Sequence, residues 1–190
     1  MRRLLCALLG LSVALASPLA LGEEAATFGR QAIVLTRALA YDSSLASRSG
    51  DSFVVVVLAK KGNAASERMS EEVVRVFKPL EAVKIAGLPF RAVAAPFSGV
   101  APLEALIDKE GVDAVFLCEG LAADLPAIKQ LSRRRRVLTL GMVLAQVLAG
   151  VSLAVVSDNG KLQVVVNLTE SREEGAAFGS DLLRIARVVR

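Results

Sequence analysis

The sequence predicts a three-layer α/β sandwich, a mainly parallel sheet with helices on both faces, followed by an antiparallel hairpin and a closing helix. Three observations carry this prediction. Phe53-Val-Val-Val-Val-Leu58 is a continuous β-branched run between turn residues, the pattern of a strand buried on both faces. After it, short apolar runs alternate with helical patterns of about ten to fifteen residues, the rhythm of βαβ crossovers. Near the end the rhythm changes, because two apolar runs flank Asp158-Asn159-Gly160, and Asn-Gly supplies the positive φ angles of a tight hairpin.

In order, residues 27–45 read as a helix, with Ile33, Leu35, Ala38 and Leu39 apolar, Arg30, Arg37 and Asp42 polar, and Thr27 able to cap the start. A polar loop leads into the strand over 53–58, the expected centre of the sheet. Ser66 can cap a second helix that runs to about Leu80, with Met69, Val73, Val76, Phe77 and Leu80 facing inward. A strand over 90–95 follows, after a short extended piece at 83–86. Pro102 opens a helix that stops at Gly111. Strands over 113–118 and 137–140 enclose a helix opened by Pro126, the hairpin pairs 151–157 with 161–167, and a last helix spans 179–189.

Residues 1–22 read as an export leader. Met1-Arg2-Arg3 is a positive start, residues 4–16 are apolar apart from Ser12, and small residues at Ala14 and Ala16 or at Ala20 and Gly22 suit cleavage near 16 or 22. Residues 23–190 then form one exported α/β domain. The apolar run is short for a bilayer span, and no later stretch offers about 18 uncharged apolar residues. Of 23 basic residues the leader removes Arg2 and Arg3, so 21 remain against 19 acidic, a balance that gives no reason to expect nucleic acid as a partner.

The chain has no histidine, which removes the commonest general base and the commonest ligand of zinc. No phosphate-loop or dinucleotide motif is present, so neither an enzyme nor a cofactor or metal site is expected. Without the leader Cys118 is the single cysteine, and no disulfide can form within the domain. A buried structural thiol is the simplest reading, an intermolecular disulfide the alternative.

In an open α/β sheet, ligands bind beyond the carboxyl ends of the strands. The loops expected there are 59–65, 96–99 and 119–123. Lys60, Lys61 and Asn63, just before a helix, suit an anion or a plain solvated turn, and Glu119 opens the third of these loops. Asp113, Glu119 and Asp124 are carboxylates, but Asp113 precedes its strand and belongs to the opposite end of the sheet. Arg133 to Arg136 end a helix, where cations complement the dipole. Arg37 and Tyr41, the only tyrosine, mark the first helix as a partner surface or as a cover for the sheet.

Val137-Leu-Thr-Leu-Gly141, the hairpin, Asn167, Glu174-Gly175, Phe178 and Ser180-Asp-Leu-Leu-Arg-Ile-Ala186 together resemble the YfiR family, whose pattern is an "ILTLG" strand, a hairpin, an asparagine, a glycine and an "S-x-L-L-x-L-A" helix. Arg37-Ala-Leu-Ala-Tyr-Asp42, the strand over 53–58 and Val112-Asp-Ala-Val-Phe-Leu117 sit where that family has its first helix and its first and third strands. The resemblance covers about residues 27–190. It implies a Rossmann-like or flavodoxin-like half of a periplasmic binding protein, exported, dimeric, and acting by binding the periplasmic part of a membrane-bound diguanylate cyclase so that cyclic di-GMP output falls. Redox-sensitive disulfides belong to that family's picture, and Cys118 alone does not reproduce an intramolecular one. The chain also carries Leu-Ala-Tyr-Asp in place of the family's "F-x-x-W". More loosely, residues 112–141 resemble a lobe of the periplasmic solute-binding proteins. The expected function is therefore that of a periplasmic regulator of a membrane signalling protein, a diguanylate cyclase or sensor kinase, working as a homodimer. The alternative is a small-ligand binding module of a transport or sensing system.

Overall fold

The structure, a computed structural model, describes residues 18–158 and 160–190, with side chains from residue 27 onward. The leader expectation rests mainly on residues 1–17, outside the described residues. One eight-stranded sheet organises the chain: β1 (Phe53–Lys60), β2 (Lys84–Ile85), β3 (Leu88–Phe97), β4 (Ala114–Leu117), β5 (Leu138–Gly141), β6 (Leu153–Asp158), β7 (Lys161–Asn167) and β8 (Arg187–Val189). Their spatial order is β2-β3-β1-β4-β5-β6-β7-β8. Neighbours from β3 through β6 are parallel, as are β7 and β8; β2 with β3 and β6 with β7 are antiparallel.

β1 has the central role its sequence predicts. Alternate side chains leave opposite faces of a strand, so Phe53, Val55 and Val57 enter one core and Val54, Val56 and Leu58 the other. The first core lies under α1 (Pro18–Leu39) and α3 (Ala64–Phe77), and the second under α4 (Val100–Glu110) and α5 (Leu125–Arg135). Phe77 of α3 meets Phe90 and Phe116 edge to face, with centroids 5.5 and 6.0 Å away. The three-layer sandwich with a mainly parallel sheet is thus the observed fold.

Several boundaries differ from the sequence reading. The first helix begins at Pro18 and ends at Leu39, so Thr27 lies inside it rather than at its start. The chain then turns, and a separate short α2 (Leu45–Arg48) follows. The turn exists because Asp42 is drawn into the protein rather than left on an outer helical face: it is 2% exposed and pairs with Arg48 at 2.5 Å. Asn63, not Ser66, caps α3, its side chain accepting from the amides of Ala65 and Ser66. Ser66 is instead fully buried. Phe77 leads into a 3₁₀ turn at Lys78–Ala82, which contains Pro79.

Two short helices, α6 (Leu144–Leu148) and α7 (Leu168–Glu173), were not expected. The closing helix, α8 (Ser180–Ile185), stops well before residue 189, because Ala186 is extended and the β-branched Val188 and Val189 pair with β7 as an edge strand. Ile185, the last residue of α8, is 72% exposed. No helix among the described residues is long and apolar enough to cross a membrane.

Candidate binding edge and the opposite, closed end

The connection from β1 to β3 passes through α3 on one face, and the connection from β3 back to β4 passes through α4 on the other. The winding therefore reverses between β1 and β4, and the crevice of an open sheet lies at their carboxyl ends. Lys60, Lys61, Asn63 and Glu119 all fall at that edge.

Ser66 ties the two loops together. Its hydroxyl accepts from the Lys60 amide at 2.8 Å and donates to the Glu119 carbonyl at 2.6 Å. The Lys60 ammonium pairs with Asp124 at 2.7 Å and lies 5.9 Å from the centre of the Phe97 ring. Gly120 has a φ of +82°, and a Cβ there would stand 2.9 Å from the Asn63 amide nitrogen. The loops are consequently in close contact, with Asn63 occupied as a cap and Lys60 neutralised by a carboxylate. Lys61 and Glu119 remain exposed.

Beside this contact opens a cavity of about 220 Å³, lined by Leu117, Leu121, Leu125, Val143, Gln146 and Val151 among others. Gln146 braces its wall. Its side-chain oxygen accepts from the amides of Met142 and Val143 at 3.1 and 3.3 Å, and its nitrogen donates to the Leu117 carbonyl at 2.7 Å. The brace explains Gly141, where a Cβ would collide with the Gln146 side-chain oxygen. Sequence reasoning missed Gln146, although the loop after β5 belongs to the same edge by the topology that selected the other loops.

Cys118 ends β4 at this edge but is only 1% exposed. Burial pushes its thiol up to about 12, and the neighbouring Glu119 charge adds to the rise while Ser70 opposes it. A neutral, shielded thiol is a poor nucleophile and a poor disulfide partner. Among the described residues, no group of three or more Cys, Asp or Glu side chains is arranged to hold a metal ion.

Arg37 and Tyr41 are not part of this edge. α1 crosses the sheet from Gln31, which donates to the Val155 carbonyl at 2.7 Å, to the turn at Asp42, which bridges to Phe178. Arg37 and Tyr41 are exposed toward the far end, together with Ile33 one helical turn before Arg37.

That far end is closed by buried charge. Burial alone would raise the Asp42 carboxyl, but the Ala177 amide, the Ser44 hydroxyl and the Arg48 guanidinium together hold it below its ordinary value. Glu174 is fully buried and accepts from the Thr139 amide at 2.7 Å, the Thr139 hydroxyl at 2.9 Å and the Ser152 hydroxyl. It thereby clamps the starts of β5 and β6, and its burial raises it to about 7. Asp113 accepts from the Val54 amide at 2.8 Å, so it lies at this end as the sequence predicts, far from Glu119. Asn167 caps α7 through the Glu170 amide. Within the arginine cluster, Arg133 pairs with Glu170 and Glu173, and Arg135 with Glu104 and Asp108.

The fold and its reversal of winding define an open α/β sandwich with a mainly parallel sheet. The ABC domain in complex with L-Trp from Streptococcus pneumonia superposes with a TM-score of 0.59 at 16% identity, over 86% of this chain and 60% of that one. A conserved domain protein from Vibrio cholerae O1 biovar El Tor superposes with a TM-score of 0.53 at 14% identity, over 72% of this chain and 54% of its own. The chain thus spans little more than half the length of either. The chain belongs to the YfiR/HmsC-like family, whose model, DUF4154, matches residues 46–187. None of the curated proteins compared with the chain matches it.

Proposed function

We propose that this protein is a periplasmic regulator that binds the extracytoplasmic part of a membrane signalling protein, a diguanylate cyclase or sensor kinase, and modulates its activity without chemistry of its own. Membership of the YfiR/HmsC-like family is the observation that carries this reading. The exposed residues of the first helix and the turn that follows it support the reading. Ile33 on α1 and Tyr41 in the turn after it are 41% and 45% exposed, and Arg37 between them in the chain is exposed as well. Such a mixture of aromatic, aliphatic and arginine side chains is what protein interfaces concentrate. The candidate residues Arg37 and Tyr41 therefore belong to the partner surface, and Lys60, Lys61, Asn63 and Glu119 to a separate edge.

The test is affinity purification from the native host after crosslinking of intact cells. The expected result is recovery, in stoichiometric amount, of one integral membrane protein with an extracytoplasmic domain and a cytoplasmic signalling domain. Recovery of no such protein, or of the regulator in the cytoplasm, would count against the proposal. Sedimentation of the purified domain reports whether it acts as a homodimer.

A further inference from the structure

We infer that the cavity at the carboxyl ends of β4 and β5 is a binding site for a small, uncharged, largely apolar molecule carrying a hydrogen-bond acceptor. This site is independent of the partner surface on α1, and its test does not depend on that reading.

Three observations define the ligand class. The cavity of about 220 Å³ has room for about seven water-sized groups at roughly 30 Å³ each, which suits a molecule of about eight non-hydrogen atoms. Its walls are Leu117, Leu121, Leu125, Val143, Val151 and small residues, and Glu119 is the only ionisable group on them besides the buried Cys118. Lys60, packed against Gly120, is already paired with Asp124, and Lys129, packed against Gly150, with Glu170, so neither is free to offset a ligand's negative charge. Second, Gly120, Leu121 and Ala122 line the cavity, and their backbone amides donate to no other group of the described chain. They can satisfy an acceptor on the ligand. Third, an apolar lining residue is uncovered: Val143, just before α6, is 43% exposed.

The cavity is also built rather than left over. Gln146 spends its side chain on Met142, Val143 and Leu117, holding the loop after β5 and the end of β4 in fixed relation, and Gly141 leaves it the space to do so. A site whose walls are fixed before binding loses less conformational entropy on complex formation.

Benzyl alcohol is a suitable probe, with eight non-hydrogen atoms, an aromatic body and one hydroxyl. Titrated into the exported domain and followed by NMR of leucine and valine methyl groups, it is expected to shift Leu121, Leu125, Val143 and Val151 saturably, with a Kd on the order of 1 mM for so small a ligand. Benzoate, similar in shape but charged, is expected to bind at least tenfold more weakly. Ala149→Leu fills the cavity from an exposed position and is expected to abolish the shifts while leaving the melting temperature unchanged. Ala122→Leu does the same from the opposite wall, should the first variant fold poorly. Absence of saturable shifts, shifts that survive both substitutions, or strongest shifts at Val34, Leu162 and Val164 around the hollow beside α1 would overturn the site. Equal binding of benzoate would overturn the ligand class.

Discussion

At the amino-terminal end of the sheet, Asp42 and Glu174 are buried carboxylates held by named donors, and the Asp42 side chain is entirely shielded beside Arg48. At the carboxyl-terminal end, the comparable pair, Lys60 with Asp124, keeps 38% and 22% of its side-chain surface exposed, next to an apolar cavity with uncommitted amides. Both ends join loops by polar contacts, yet a buried charge that loses its partner pays heavily, whereas a surface pair is exchanged with water at little cost. The first arrangement fixes the fold, and the second leaves an edge that can accommodate a ligand.

Breaking the buried pair should have the largest effect. Arg48→Met leaves Asp42 uncompensated and is expected to lower unfolding free energy by about 3–5 kcal/mol in a denaturant titration. A loss no larger than that of the surface pair would dissolve the distinction between the two ends.

Glu174 gives the comparison a pH signature. Its folded value of about 7 lies above the ordinary 4.5, so between those values the folded protein binds a proton that the unfolded chain has released. Stability must then fall as pH rises from about 4.5 through 7, by about 3 kcal/mol for this group alone. In Glu174→Gln that decline is expected to vanish, because the amide mimics the protonated acid. A decline of equal size in the variant would assign it to other groups. The Asp42 carboxyl acts in the opposite sense: held below its ordinary value, it contributes stability that is lost as pH falls through the acidic range.

Smaller changes are expected at the carboxyl edge. Asn63→Ala removes the cap of α3 and should cost about 1 kcal/mol. Lys60→Met should cost less than about 1 kcal/mol in thermal unfolding, since half-exposed pairs are screened.

How much of this was legible in the sequence follows from the range of the interactions involved. The β1 run, the hairpin that pairs Asp158 with Lys161 and the stop at Gly111, which adopts the left-handed conformation, rest on local signals and lie where those signals put them. α6, at five residues, is too short to show a helical period, and β8 hid inside the apolar pattern of the helix before it. The edge that holds Lys60, Asn63 and Glu119 followed from topology. The Lys60 to Asp124 pair and the turn of Asp42 toward Ala177 did not, because each joins residues far apart in the chain. The family motif is informative for the same reason it is silent about function: Asn167, Glu174 and Gly175 build the closed end, not the surface or the cavity.

The most direct test of the regulatory account is site-specific photo-crosslinking in the native host, with the photoreactive residue at Arg37 in one strain and at Gln130, exposed on the opposite helical layer, in another. The account predicts a single adduct with a membrane signalling protein from position 37 and none from position 130. Equal adducts from both positions, or no membrane protein from position 37, would contradict it.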